Sequence, residues 1–172
     1  MKNRILVLLF FCLACGNIFA WSDSTVTVKD LKNLAGCWNG SLTYLDYSSG
    51  KPFTMPANIA VQDHKNRNQV ICAITYPKEP AANGPDTIFI SADGRYINDG
   101  VIKVKRLINK DSLEIITEEA GIDGNDNKAA IIRHTYSLSR SNYSVKKEVQ
   151  FPDQEKWILR NVYTFTRVKT CP

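Results

Sequence analysis

The sequence predicts an all-β domain, an antiparallel up-and-down barrel of eight to ten strands entered through one short helical turn. Three observations lead there. From Trp38 to Val168 apolar and polar residues alternate in short runs, the period of half-buried strands. Gly, Asn, Asp, Ser and Pro clusters separate those runs, as tight turns require. Nothing between them is long enough for a crossover helix, so the strands must meander antiparallel, and closure into a barrel removes the exposed edges.

The elements follow in order. Val28 to Leu34 forms a turn or two of helix before Gly36. Strands are expected over Trp38 to Tyr47, Phe53 to Gln62, Gln69 to Tyr76 and Asp86 to Ser91. Arg95 to Ile97 and Val101 to Ile108 flank Asn98-Asp99-Gly100, and Asp-Gly is a strong hairpin signal. Leu113 to Glu119 is followed by a long polar turn from Glu118 to Asn127. Its Asp and Asn residues lack the spacing of a calcium loop. Ala129 to Leu138, Tyr143 to Phe151 and Trp157 to Val168 complete the set. In a closed barrel the last strand lies beside the first.

The chain divides into an export signal, 1–20, and a barrel domain, 21–172. Lys2 and Arg4 precede an apolar run from Ile5 to Ala14, which is signal-peptide length and too short to span a bilayer. Cleavage after Ala20 implies a secreted or periplasmic protein. Lipid anchoring at Cys15 is the lesser alternative, because Leu13 is one place out of register for a lipidation box. Loss of the signal leaves twenty basic against seventeen acidic residues, a net +3. The basic residues are scattered, with short runs only at 103–106 and 146–147, so the charge does not indicate nucleic-acid binding.

Three cysteines remain after cleavage: Cys37, Cys72 and Cys171. In an oxidising compartment they give one disulfide and one odd thiol. Cys37 starts the strand expected beside the last one, so Cys37 with Cys171 is the preferred pair. Cys72 with Cys171 stays open.

The stretch Leu34-Ala-Gly-Cys-Trp-Asn-Gly40 resembles the Gly-x-Trp signature of lipocalins and the wider calycin group, which includes fatty-acid-binding and nitrobindin-like barrels. Tyr163 to Val168 resembles their closing strand, and these two ends together are most similar to a bacterial secreted lipocalin-like family of unknown function. The resemblance implies that Gly36 and Trp38 close one barrel end and that Arg167 packs across the tryptophan. It also favours the rival disulfide, since many lipocalins tie the C-terminal tail to the barrel wall.

Strand parity assigns the interior. His134 shares a face with Ala130, Ile132 and Tyr136, and Lys147, Asn161 and Tyr163 point inward by the same count. Trp157 and Leu159 are expected inside with Asn161, and Phe53, Phe89 and Phe151 are counted among the fillers. One bulge would invert every assignment beyond it. His134, Tyr136, Lys147, Asn161 and Tyr163 are therefore the candidate ligand residues, whereas His64 falls in a polar turn. No metal set, nucleophile motif, phosphate loop or zinc-protease pattern occurs, so no enzyme activity is expected. A binding protein for a small, partly polar or amphiphilic ligand is the leading expectation. The alternative is a barrel filled by its own side chains and acting through its surface. Haem held by His134 is a lesser cofactor alternative, implied by the nitrobindin-like relatives.

Overall fold

The computed structural model describes residues 24–46, 48–62 and 68–171. The export segment, Cys15 and His64 lie outside them. Ten antiparallel strands form one sheet: β1 (Gly36–Asp46), β2 (Lys51–Val61), β3 (Gln69–Thr75), β4 (Gly84–Phe89), β5 (Tyr96–Ile97), β6 (Gly100–Asn109), β7 (Ser112–Asp123), β8 (Lys128–Leu138), β9 (Asn142–Gln150) and β10 (Ile158–Val168). Their order is β4-β3-β2-β1-β10-β9-β8-β7-β6-β5. The first strand pairs with the last, Trp38 opposite Arg167. The sheet's two ends meet through an Ile90–Ile97 bridge, neighbouring backbone bonds and a bond from the Phe89 amide to the Asn98 side chain. The barrel is thus nearly closed, with a seam between β4 and β5.

The helical turn before Gly36 is tighter than an α-helix: a turn over 28–31 leads into a 3₁₀ helix at Lys32–Leu34. Thr27 and Asp30 start it, with the Asp30 carboxylate accepting from the Thr27 amide at 2.8 Å. Val26, Leu31 and Leu34 are buried beneath it.

Cross-strand register stacks the interior in rungs, read across β7, β8, β9, β10, β1 and β2. Leu113, Leu138, Tyr143, Phe165, Gly40 and Ala57 form the lowest complete rung, just above Trp38. Ile115, Tyr136, Val145, Tyr163, Leu42 and Met55 form the next. Above it come Thr117, His134, Lys147, Asn161, Tyr44 and Phe53. Polarity therefore rises in steps along the axis, from an apolar floor through tyrosines to a polar layer.

The floor explains the glycine spacing around Trp38. Gly36 has φ +121°, a region that L side chains rarely adopt, and a Cβ there would stand 2.7 Å from the Arg167 guanidinium. A Cβ on Gly40 would collide with the Thr164 carbonyl and with Phe165. Between them the Trp38 indole is fully buried and donates to the Leu34 carbonyl at 2.8 Å. Arg167 lies 4.1 Å over the indole ring and donates to the carbonyls of Ala35, Arg140 and Asn33. Burial of such a ring contributes on the order of 5 kcal/mol, and the cation over its face adds about 1 kcal/mol. Tyr143 and Phe165 continue the aromatic packing, their rings stacked at 5.9 Å. Cys37 and Cys171 are disulfide-bonded across a sequence separation of 134 residues, with Cα atoms 4.9 Å apart. Cys72 is the odd thiol, buried in the wall.

Four residues expected inside are corrected. A register shift, a β-bulge, falls between Leu159 and Asn161 on β10. That bulge turns Leu159 outward, 48 % exposed, and Trp157 packs outside against Arg133 at 3.6 Å. Phe89 faces out because its neighbours Ile88 and Ile90 take the inner face, and Phe53 sits exposed where β2 leaves the barrel. The long polar turn is shorter than expected: β7 continues to Asp123, and only four residues link it to β8. Pairing of Asp123 with Lys128 extends the strand into residues whose local preference is for turns.

Candidate functional site

Above the aromatic floor the interior is not filled. A cavity of about 240 Å³ remains, floored by Tyr143 and Phe165 and walled on one side by Ile59, Ile74 and Ile88. Its other wall carries His134, Tyr136, Lys147, Asn161 and Tyr163. The structure thus gathers all five candidate ligand residues in one place. The reason lies in register: His134, Lys147 and Asn161 are directly opposite one another on three successive strands, and Tyr136 and Tyr163 occupy the rung beneath. The exposed residues Asp86 and Asn98 also line the cavity. They lie on either side of the β4–β5 seam, so the cavity reaches solvent there.

Burial tunes these groups. The His134 imidazole is held below its ordinary value, first by desolvation and second by the Lys147 charge, which favours a neutral ring. Its ring stands 6.2 Å from that of Tyr136. Desolvation pushes the Tyr136 and Tyr163 phenols upward, so both stay protonated donors. Tyr163 and Tyr76 share a hydroxyl hydrogen bond of 2.7 Å at the cavity wall. The Cys72 thiol is pushed up to about 12, by burial and then by Asp86, which makes it a poor nucleophile.

The bulge at Arg160 supplies what parity missed. Arg160 and Asn161 are consecutive yet both turn inward, and the Arg160 Nε donates to Asp123 at 2.6 Å. Asp123 is 8 % exposed. Its other carboxylate oxygen stands 3.6 Å from the Lys147 ammonium. A carboxylate thus offsets the cost of an inward lysine charge, and it comes from a residue that the sequence assigned to a turn. Burial also raises the Glu119 carboxyl above its ordinary value, with Asp99 as a second cause. One signal for Arg160 was present: Ile158-Leu159-Arg160-Asn161 breaks the alternation that the rest of the strand keeps.

The cavity presents the Lys147 ammonium, the His134 imidazole, the Asn98 and Asn161 amides and the Tyr136 and Tyr163 phenols over a floor of Tyr143 and Phe165, with the Asp86 carboxylate at the rim. At about 240 Å³ the cavity lies below the usual lower bound of about 300 Å³ for drug-sized ligands, so it would not enclose a whole porphyrin. Among the described residues no group of three or more His, Cys, Asp or Glu is placed to hold a metal ion, and no helix is long and apolar enough to cross a membrane.

No protein-family model matches the chain, and no curated protein matches it by sequence. Among solved structures, the crystal structure of Rv2717c from M. tuberculosis is similar, with a TM-score of 0.53. The match spans 83 % of this chain and 97 % of that one at 11 % identity. That likeness shows a shared barrel fold.

Proposed function

We propose that this chain is an exported binding protein that holds one small, partly polar or amphiphilic ligand inside the barrel, and that it is not an enzyme. The observation that carries the reading is the polar rung of His134, Lys147 and Asn161 facing an unfilled cavity of about 240 Å³ over an apolar floor. Interiors closed only for stability have little use for a lysine, since burying its charge needs the compensation that Asp123 provides. In this reading the apolar part of the ligand rests on Phe165 and Tyr143, and its polar head meets Lys147, Asn161 and Tyr163. Export is supported by the signal-like N-terminus and by the Cys37–Cys171 disulfide, a bond that persists in oxidising compartments. The lipocalin-like family resemblance at Gly36, Trp38 and Arg167 points the same way.

Native mass spectrometry of the protein, purified from its own compartment without detergent, tests the reading. A reproducible excess mass that vanishes on denaturation is expected, and extraction then identifies the ligand. A bare chain lighter by two hydrogens, for one disulfide, favours the other reading, a barrel that acts through its surface. The small volume is the observation on that side.

A further inference from the structure

We propose that the seam between β4 and β5 is the entrance through which the ligand reaches the cavity, and that Pro85, Asp86 and Asn98 keep it from closing. The proposal rests on the binding reading above and adds the route. β5 ends at Ile97, where the Asn98–Asp99 turn reverses the chain into β6. Among the described residues Phe89 and Asn98 make the last stitch between the sheet's ends, the Asn98 amide donating to the Phe89 carbonyl at 2.8 Å. Beyond it Gly84 to Ile88 of β4 run on with no partner strand on that side, roughly 15 Å of edge. Across the gap β7 also runs on, because its pairing with β6 reaches no further than Glu118.

An unpaired edge normally invites another strand, because its amides are open donors. Here they are spent. Backbone groups alternate sides along a strand, and the Ile90 amide bonds back to Asn68 while Phe89 bonds across the seam. Pro85, Thr87 and Phe89 are therefore the residues whose backbone faces the gap. Pro85 has no amide hydrogen to give. The Thr87 amide donates to the Asp86 carboxylate at 2.8 Å. The Phe89 amide donates to the Asn98 side-chain oxygen at 2.8 Å. Asn98 makes its bonds to Phe89 from φ +52°, a left-handed conformation in which asparagine is enriched. Each donor that could zip the seam is absent or already bonded.

The capping residues are also cavity residues. Asp86 and Asn98 line it, and so does Cys72, which stands opposite Asp86 in the register. The rival route is barred. A second hollow of about 290 Å³ beside β1 and β2 is lined by Leu42, Tyr44, Met55, Tyr76 and Ala82. Tyr76 belongs to that hollow and Tyr163 to the cavity, and their hydroxyls, bonded at 2.7 Å, partition the two.

Cys72 reports on the route, because it is the one free cysteine among the described residues, is buried and lines the cavity. The test uses the protein as exported and processed by cells, with its disulfide intact, and methylmercury as a small thiol probe. Capture by Cys72 is followed by intact mass and located by peptide mapping. It is expected at a rate that low urea does not change, as entry into the folded barrel requires. Asp86→Trp, on the exposed rim of the seam, should slow capture about tenfold or more. Ala82→Trp, over the second hollow, should change it less than about twofold. Absence of capture, or a rate that climbs with urea from the lowest concentrations, would overturn the proposal. So would a slowing by Ala82→Trp as great as that by Asp86→Trp. The caps are read by Pro85→Val combined with Asp86→Val, which returns two donors to the edge and should raise the dimer fraction in analytical ultracentrifugation above that of wild type. An unchanged fraction would overturn their role. Methylmercury needs no bound ligand, so these rates and the excess mass sought above can fail separately.

Discussion

The two ends of the barrel are built to different rules. The Trp38 end is dry: an indole, a stacked arginine, two close glycine approaches, a 3₁₀ strap and a disulfide converge within a few residues. The far end carries His134, Lys147 and Asn161 on unfilled space, with Asp123 beside Lys147 and bonded to Arg160. One set of strands runs through both. The difference teaches that stability in this fold can be concentrated at one pole, which frees the other to keep polar groups and a cavity that packing alone would not retain.

The largest expected effect lies at the dry pole. Trp38→Ala should cost about 3–5 kcal/mol in urea unfolding, through lost burial and the cavity left behind. Phe53→Ala at the far end, already 48 % exposed, should cost less than about 1 kcal/mol. Equal costs would dissolve the contrast. Replacing both Cys37→Ser and Cys171→Ser should lower stability by about 2–5 kcal/mol, since the bond closes most of the chain into a loop. An unchanged unfolding midpoint would show that the strap and Trp38 hold that end without it.

Asp123→Asn probes the charged network beside the polar rung at the wet pole. It leaves Arg160 and Lys147 without their shared carboxylate, and a loss of about 2–3 kcal/mol is expected. A neutral result would show that the pair is solvated and does not shape the site.

The smallest effect is in pH dependence. The His134 imidazole is held below 6.5, chiefly by burial. Between the two values the unfolded chain binds a proton that the folded chain refuses. The stability tied to this group is therefore complete above 6.5 and declines as pH falls below it, by at most about 1.4 kcal/mol per pH unit. Glu119, whose carboxyl is raised by burial, acts in the opposite sense: its share is present below 4.5 and declines as pH rises through its folded value. Denaturation curves of His134→Gln should be flatter than wild type below 6.5. Parallel curves would mean that His134 is exposed to water.

Most of the dry pole was readable in the sequence. Gly36, Trp38 and Gly40 sit at fixed spacing, and the lipocalin-like resemblance singled out Arg167, which lies opposite Trp38 in the register. Alternation kept His134, Tyr136, Lys147, Asn161 and Tyr163 on one wall because β8 and β9 run without a register shift between them. The charged network was not readable for two physical reasons. Asp123 precedes Gly-Asn-Asp-Asn, a local preference for turns that tertiary pairing overrides. Arg160 is the extra residue of a bulge, and parity counting has no term for an insertion. The same bulge put Trp157 and Leu159 on the wrong face.

The measurement that reaches the central claim most directly is native mass spectrometry of wild type beside Lys147→Met, both purified from the same compartment. The division into a stabilising pole and a binding pole predicts excess mass on the wild type and a bare or depleted variant, with unfolding free energies that differ by less than about 1 kcal/mol. A bare wild type, or the same load on both proteins, would contradict it.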